Sequence, residues 1–142
     1  MIHIIVGTRA QIIKMAPVMR ELENRSIDYN FIFLAQHKET IHELISQFGI
    51  KKPDIVIGDL DKDITNVKDM ILWSIVVLIF AFWKRVEIFK NDKNGVVLIH
   101  GDAPPLFLGA LMAKLQGLKV AQVEAGLRSF NYFKPFPEEI TR

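Results

Sequence analysis

Five short apolar segments alternate with segments of helix-forming residues, and this alternation limits the possible folds more than any other feature. The predicted strands are Ile2–Val6, Tyr29–Ala35, Ile55–Ile57, Val96–Ile99 and Lys119–Val123. The predicted helices are Ala10–Arg25, Glu39–Phe48, a long helix over about 63–90, and Leu106–Gln116. This order is typical of a parallel sheet with helices on both faces. The predicted fold class is therefore α/β, with a Rossmann-like sheet, and 142 residues suit one such domain.

Two helices carry local signals about their ends and faces. The predicted buried stripe of the first helix is Ile12, Ile13, Ala16, Met19 and Leu22. Because proline removes a backbone N–H, Pro17 is expected to kink this helix or to shift its start. Asp63 or Thr65 is expected to cap the third helix.

The segment Met70–Trp83 is almost entirely apolar, with only Ser74 interrupting it. Its fourteen residues span about 21 Å as a helix, whereas a bilayer core needs about 30 Å. A buried or interface helix is therefore favoured over a membrane span, and attachment to a membrane surface stays an alternative.

Apolar residues surround this helix on every side. The stripe that could pack on the sheet is Ile71, Ile75, Leu78 and Phe82. The residues that extend round the rest are Trp73, Val76, Val77, Phe80 and Trp83. Because a large exposed apolar patch is unusual in a monomer, we expect a homodimer with the Met70–Trp83 helix at its centre.

Composition excludes several classes of function. The net charge is only +2 and the basic residues are dispersed, whereas nucleic-acid binding normally needs a basic face. The chain has no cysteine, which excludes disulfides and thiolate metal ligands and fits a reducing cytoplasm. The first residues, MIHIIVGTR, form a strand rather than a signal peptide. No ligand spacing indicates a metal site.

Polar residues follow four of the predicted strands, and they are Arg9, His37, Asp102 and Glu124. The carboxyl ends of parallel strands share one edge of a sheet, where ligands bind in such folds. Gly7-Thr8-Arg9 would hold a phosphate at a helix N-terminus, although no GxGxxG sequence is present. The alternative is that polar residues end strands simply because loops lie at the surface.

Several of these segments together resemble one family. They are GTRAQIIKMAPV, AQH, HGD, VEAGLR and PFPEEITR, in this order. The chain is similar to the N-terminal half of the non-hydrolysing UDP-N-acetylglucosamine (UDP-GlcNAc) 2-epimerases. The resemblance runs from Gly7 to Arg142 and is weakest over 51–94.

The resemblance implies a GT-B-type enzyme, in which two Rossmann-like domains hold a UDP-sugar in the cleft between them. Such an enzyme interconverts UDP-GlcNAc and UDP-N-acetylmannosamine (UDP-ManNAc) by eliminating UDP and adding it back, for cell-surface polysaccharide biosynthesis. It needs no metal and no cofactor, and family members are homodimers.

Roles carry over at seven matching positions. The residues implied in proton transfer and sugar binding are Asp102, Glu124 and Glu138. The residues implied in substrate binding are Arg9, Lys14, His37 and Arg128, with His37 near a regulatory nucleotide-sugar site. Lys14 and Arg128 have a simpler alternative, which is that they only hold loops in place.

The chain also departs from the family pattern. Ala10-Gln11 stands where Pro-Glu is common, and Ala103-Pro104-Pro105 replaces a threonine-rich helix start. The UDP-binding C-terminal domain is absent from residues 1–142, so the isolated chain is expected to be inactive. Two alternatives stay open: half of a split GT-B glycosyltransferase, and a non-catalytic, self-associating remnant.

Overall fold

All five predicted strands form one parallel sheet. The computed structural model describes residues 1–35, 41–58, 66–101, 104–126 and 130. The strands are β1 (Ile2–Val6), β2 (Tyr29–Leu34), β3 (Ile55–Ile57), β4 (Val96–His100) and β5 (Lys119–Val123). Their order across the sheet is β3-β2-β1-β4-β5, and every neighbouring pair is parallel. The α/β fold class predicted from the sequence is confirmed.

Four helices connect the strands. They are α1 (Arg9–Asn24), α2 (Ile41–Phe48), α3 (Val67–Ile88) and α4 (Pro104–Gln116). Several predicted boundaries are wrong by one or two residues. The first helix lies one residue earlier than predicted, β2 ends at Leu34, and α3 ends at Ile88. β4 continues to His100, and α4 already begins at Pro104. Proline is compatible with a first helical turn, since its missing N–H has no partner within the helix there.

Each face of the sheet has its own hydrophobic core. On one face, Ile4 and Phe31 pack against Ile12 and Met15 of α1 and Leu44 of α2. On the other face the core residues from the strands include Ile5, Ile32 and Ile99. Trp73 and Val77 of α3 and Met112 of α4 complete this second core. The helices therefore cover both faces, as the alternating sequence predicts.

The start of α1 is fixed by a capping box. Thr8 Oγ1 accepts a hydrogen bond from the Gln11 amide at 3.3 Å, and the Gln11 side chain accepts one from the Thr8 amide in return. The helix continues through Pro17, so the expected shift of its start is wrong. Pro17 lies on the solvent side, where water can bond the carbonyl that a proline leaves unpaired.

One residue of the predicted α1 stripe is also wrong. Ile13 is exposed, and the core position belongs to Met15 instead. Residues 12, 15, 16 and 19 are spaced for a single helix face, whereas Ile13 lies about 100° round the axis from Ile12.

The N-cap of α3 differs from the prediction as well. Its cap is Asn66, whose Oδ1 accepts a hydrogen bond from the Asp69 amide at 2.8 Å. The predicted caps, Asp63 and Thr65, lie outside the described residues. The prediction was wrong because asparagine is as good an N-cap as aspartate and stands closer to the first helical turn.

The two sides of α3 are not divided as predicted. Trp73 and Val77 are fully buried against the sheet, and the Trp73 indole N–H donates to the Gly58 carbonyl at 2.9 Å. Ile71, Ile75 and Phe82, which were predicted to pack on the sheet, are exposed. Because apolar residues lie on every side of this helix, the sequence has no polar side that would identify the buried one. The sequence therefore could not predict which stripe of α3 packs on the sheet.

The side of α3 that points away from the sheet carries large apolar side chains. We call the set Leu72, Ile75, Val76, Ile79, Phe80, Trp83 and Val86 the outer stripe of α3; all are exposed. Within the described ranges, no helix is both long and apolar enough to cross a membrane.

Candidate functional site at the carboxyl edge of the sheet

The site lies at the point where the strand order across the sheet reverses, between β1 and β4. β1 is hydrogen-bonded to β2 on one side and to β4 on the other, so the connections after β1 and β4 lead to opposite faces. A crevice forms beyond the carboxyl ends of such a strand pair. Arg9 is the first residue of α1, directly after β1, and Glu124 directly follows β5 at the same edge.

Four of the seven predicted site residues cannot be placed. His37, Asp102, Arg128 and Glu138 lie outside the described residues. Among the three that are described, the structure brings two into direct contact.

Glu124 is held by a lysine from α1 and a histidine from β4. Lys14 Nζ donates to both carboxylate oxygens of Glu124, at 2.9 and 2.8 Å. His100 Nε2 lies 2.8 Å from Glu124 Oε2. The Glu124 side chain nevertheless keeps 35% of its surface exposed, so the carboxylate stays accessible to solvent while both partners bind it.

The backbone of Glu124 adopts a conformation that non-glycine residues seldom take. Its φ is +65°, in the left-handed region. Such strain at a non-glycine residue is concentrated at functional sites, where the side chain is needed for more than folding.

The partners of Glu124 determine its charge. Hydrogen bonds from the Lys14 ammonium are the main cause that lowers the pKa of the Glu124 carboxyl below its ordinary value, and His100 adds a smaller contribution. Glu124 is therefore a carboxylate at neutral pH, able to accept a proton or a hydrogen bond from a sugar hydroxyl.

Gln11 ties the two loops of the crevice together. Its Oε1 accepts a hydrogen bond from the Gly7 amide at 2.8 Å, while its Nε2 donates to the His100 carbonyl at 2.8 Å. The side chain is buried, and both ends of its amide are used. A glutamate here could not donate to the His100 carbonyl, so this departure from the family pattern has a structural role.

Gly7 allows the first loop to approach the start of α4. A Cβ at this position would lie 2.6 Å from the Pro105 side chain and 2.9 Å from the Leu34 carbonyl oxygen. The close contact requires glycine, and it keeps the end of β1 against the N-terminus of α4.

Sequence reasoning missed His100 and Gln11 as members of this site. His100 is the first residue of the HGD segment, but only Asp102 in that segment was predicted to have a role. Gln11 was noted only as a departure from the family. Side-chain contacts between residues 89 positions apart are not encoded in local pattern.

Comparison with protein families gives one match over most of the chain. Residues 20–142 match the family described as UDP-N-acetylglucosamine 2-epimerase. The UDP-N-acetylglucosamine 2-epimerase of Campylobacter jejuni is 35% identical over 142 residues, which cover 99% of this chain and 35% of the relative. The chain thus spans about a third of the length of the curated relatives it matches.

Solved structures show the same fold. A Methanocaldococcus jannaschii UDP-GlcNAc 2-epimerase, in complex with UDP-GlcNAc and UDP, superposes with a TM-score of 0.79 at 31% identity. A Neisseria meningitidis UDP-GlcNAc 2-epimerase bound to UDP-GlcNAc gives a TM-score of 0.77 at 31% identity. In both cases the match covers 99% of this chain and 36% of the other.

Proposed function

Because the chain belongs to the UDP-N-acetylglucosamine 2-epimerase family, we propose that it supplies the N-terminal half of an enzyme that interconverts UDP-GlcNAc and UDP-ManNAc. In this reaction the sugar loses its C2 proton and its UDP group, forming a 2-acetamidoglucal, and UDP then adds back after C2 is reprotonated on the opposite face. We assign proton transfer and sugar binding to Asp102, Glu124 and Glu138.

The geometry of Glu124 is the observation that best supports this proposal. A C2 proton is weakly acidic, so its transfer needs a carboxylate in a fixed position at the sugar. Glu124 is ionised, is held from two sides, and opens onto the crevice.

The leaving diphosphate needs positive charge. The N-terminus of α1 provides backbone N–H groups and a favourable helix dipole, and Arg9 adds a guanidinium that can bind phosphate oxygens. We propose that Arg9, Lys14, His37 and Arg128 bind the substrate, and that Lys14 exchanges part of its contact with Glu124 for the sugar nucleotide.

A separate UDP-binding domain would complete the cleft. We expect the isolated chain to form no UDP-ManNAc from UDP-GlcNAc by ¹H NMR, and to gain turnover when the remaining part of a family member is supplied as a second chain. In that reconstituted enzyme, Glu124→Gln should lower kcat by about 10²–10⁴-fold, the usual contribution of a general acid or base.

Asp92→Asn is the matched control, because Asp92 lies at the opposite edge of the sheet beside another histidine. Its kcat should stay close to that of the unchanged enzyme. Formation of UDP-ManNAc by the isolated chain would contradict the need for a second domain. Full turnover by Glu124→Gln would contradict the catalytic assignment.

We further propose that two copies associate through the outer stripe of α3. The side chains of this stripe alternate at three- and four-residue spacing, so they form a continuous apolar band along the helix. Trp83 has 79% of its surface exposed, which costs free energy in a monomer. A second copy presents the same band and can cover it by two-fold symmetry.

Light scattering of the purified chain tests the dimer. Trp83→Glu should give a monomer at micromolar concentration, because it places a charge in the centre of the contact. Lys84→Glu is the control, since Lys84 is the neighbouring residue but is not part of the outer stripe. A monomeric unchanged chain, or an unchanged dimer in Trp83→Glu, would disprove this interface. Trp73 is unsuitable for this test because it is buried within the domain.

The setting of the reaction follows from the same family assignment. We propose that the protein acts in the cytoplasm and that its product enters cell-surface polysaccharide biosynthesis. Metabolic labelling of such a polysaccharide in a strain lacking the gene would test this role.

A further inference from the structure

The imidazole of His100 is buried beneath the carboxylate of Glu124. Its side chain has only 6% of its surface exposed, and its Nε2 lies 2.8 Å from Glu124 Oε2. Its Nδ1 is also buried and has no hydrogen-bond partner among the described residues. Within the described part of the chain, Glu124 Oε2 is thus the only polar partner of the ring.

A buried histidine with few polar partners contributes less to the stability of the fold than an apolar residue would. A buried polar atom without a partner destabilises the folded state, and an apolar side chain of similar size would avoid that cost. His100 lies on a strand whose other buried side chains, Val97 and Ile99, are apolar. Unlike its apolar neighbours on the strand, the imidazole presents a polar atom to Glu124.

The backbone of His100 is itself fixed. Gln11 Nε2 donates to its carbonyl, and Gln11 is anchored in turn on the Gly7 amide. The ring therefore projects from a strand end that is bound to the start of α1. Lys14, the other partner of Glu124, has 53% of its side chain exposed and reaches the carboxylate through a flexible chain.

We infer that His100 is a positioning residue, whose buried Nε2–H holds the Glu124 carboxylate in one orientation at the crevice while Lys14 supplies charge. This inference rests on the proposed function, in which Glu124 transfers a proton at the sugar. The two partners then have separate roles: Lys14 can leave for the sugar nucleotide, and His100 keeps the carboxylate in place after Lys14 has moved.

The inference can be tested on the full chain without substrate. We would label glutamate with ¹³C and ¹⁵N and follow Glu124 by NMR, measuring its carboxyl titration and the three-bond couplings that report its χ1 angle. Three variants separate position from charge: His100→Phe removes the donor, His100→Gln keeps an N–H donor near the same place, and Lys14→Met removes the ammonium.

We expect the Glu124 couplings to show one rotamer in the unchanged chain, in His100→Gln and in Lys14→Met, and rotamer averaging in His100→Phe. The pKa of Glu124 should rise most in Lys14→Met, because Lys14 is the main cause of its lowering. Backbone amide spectra establish that each variant is folded. If His100→Phe does not fold, His100→Leu gives the same comparison.

A single Glu124 rotamer in folded His100→Phe would overturn the inference, and so would rotamer averaging in Lys14→Met alone. Both results come from NMR of the chain without substrate and do not depend on turnover. Failure of this inference is therefore distinguishable from failure of the proposed function, which is measured separately as UDP-ManNAc formation. In the reconstituted enzyme, His100→Phe should lower kcat with little change in KM, and His100→Gln should restore most of it.

Discussion

The described residues contain two histidine–carboxylate pairs, one at each end of the sheet, and they differ in how far the carboxylate is enclosed. At the amino end, His3 on β1 lies 3.2 Å from Asp92, and His3 Nδ1 lies 2.9 Å from the Asn30 amide nitrogen. At the carboxyl end, His100 on β4 pairs with Glu124 and leaves its Nδ1 without a described partner.

The amino-end pair is a sealed network. Both ring nitrogens of His3 are engaged, Asn30 Nδ2 also donates to the Ile88 carbonyl, and Asp92 binds the Met1 ammonium. Burial is the main cause that lowers the pKa of His3, which therefore stays uncharged at neutral pH. The network joins β1, β2 and the end of α3, but it offers no carboxylate to a crevice.

The carboxyl-end pair is open by contrast. Glu124 has a positive φ, its carboxylate is more exposed than that of Asp92, and it is bound by a largely exposed lysine. The same kind of pair is thus part of a buried network at one edge and leaves a partly exposed carboxylate at the other. The exposure of the carboxylate, rather than residue type, separates the two pairs.

Replacing each histidine by phenylalanine should give the largest difference between the two ends. His3→Phe removes one hydrogen-bond partner from Asn30 and one from Asp92 within a buried network, and it should destabilise the chain by about 1–3 kcal/mol. His100→Phe removes a nitrogen that has no partner among the described residues, together with one contact to a partly exposed carboxylate, so its cost should be under about 1 kcal/mol. Urea unfolding would measure both, and equal losses would remove the distinction.

The acid sensitivity of the fold should depend on the amino-end pair. The Met1 ammonium is the main cause that lowers the pKa of Asp92 well below its ordinary value of 3.8. A lowered folded pKa gives stability that is present above pH 3.8 and lost as the pH falls toward the folded pKa.

Asp92→Asn should therefore be less stable than the unchanged chain at neutral pH, with a smaller further loss below pH 3.8. Glu124→Gln is the counterpart at the other end, and its exposure should make the change in acid stability smaller. Thermal unfolding across pH would compare them. A steeper acid loss in Asp92→Asn would contradict the assignment.

The smallest expected effect isolates the backbone strain at Glu124. Glu124→Ala and Glu124→Gly both delete the contacts to Lys14 and His100, but only glycine adopts a φ of +65° without a steric cost. Glu124→Gly should therefore be more stable than Glu124→Ala by about 1 kcal/mol. The pair of unfolding curves would decide this, and identical curves would show that the strain is negligible.

The local pattern was sufficient for the elements themselves. The bounds of β1, β3 and β5 were predicted correctly from the sequence. Short segments rich in β-branched residues between helical segments are readily identified as strands. The errors came where two residues compete for one role: Asn66 instead of Asp63 or Thr65 as the cap of α3, and Met15 instead of Ile13 in the core.

The sequence by itself determined the fold class, the edge at which Arg9 and Glu124 lie, and the family, because strand order along the chain and the motif segments are one-dimensional properties. Only the tertiary structure decided that Lys14 and His100 meet at Glu124, that Gln11 binds the His100 carbonyl, and that Trp73 faces inward. These contacts depend on how α1 packs beside β4 and on the rotation of α3 about its axis. Neither is fixed until the sheet and its helices close on one another.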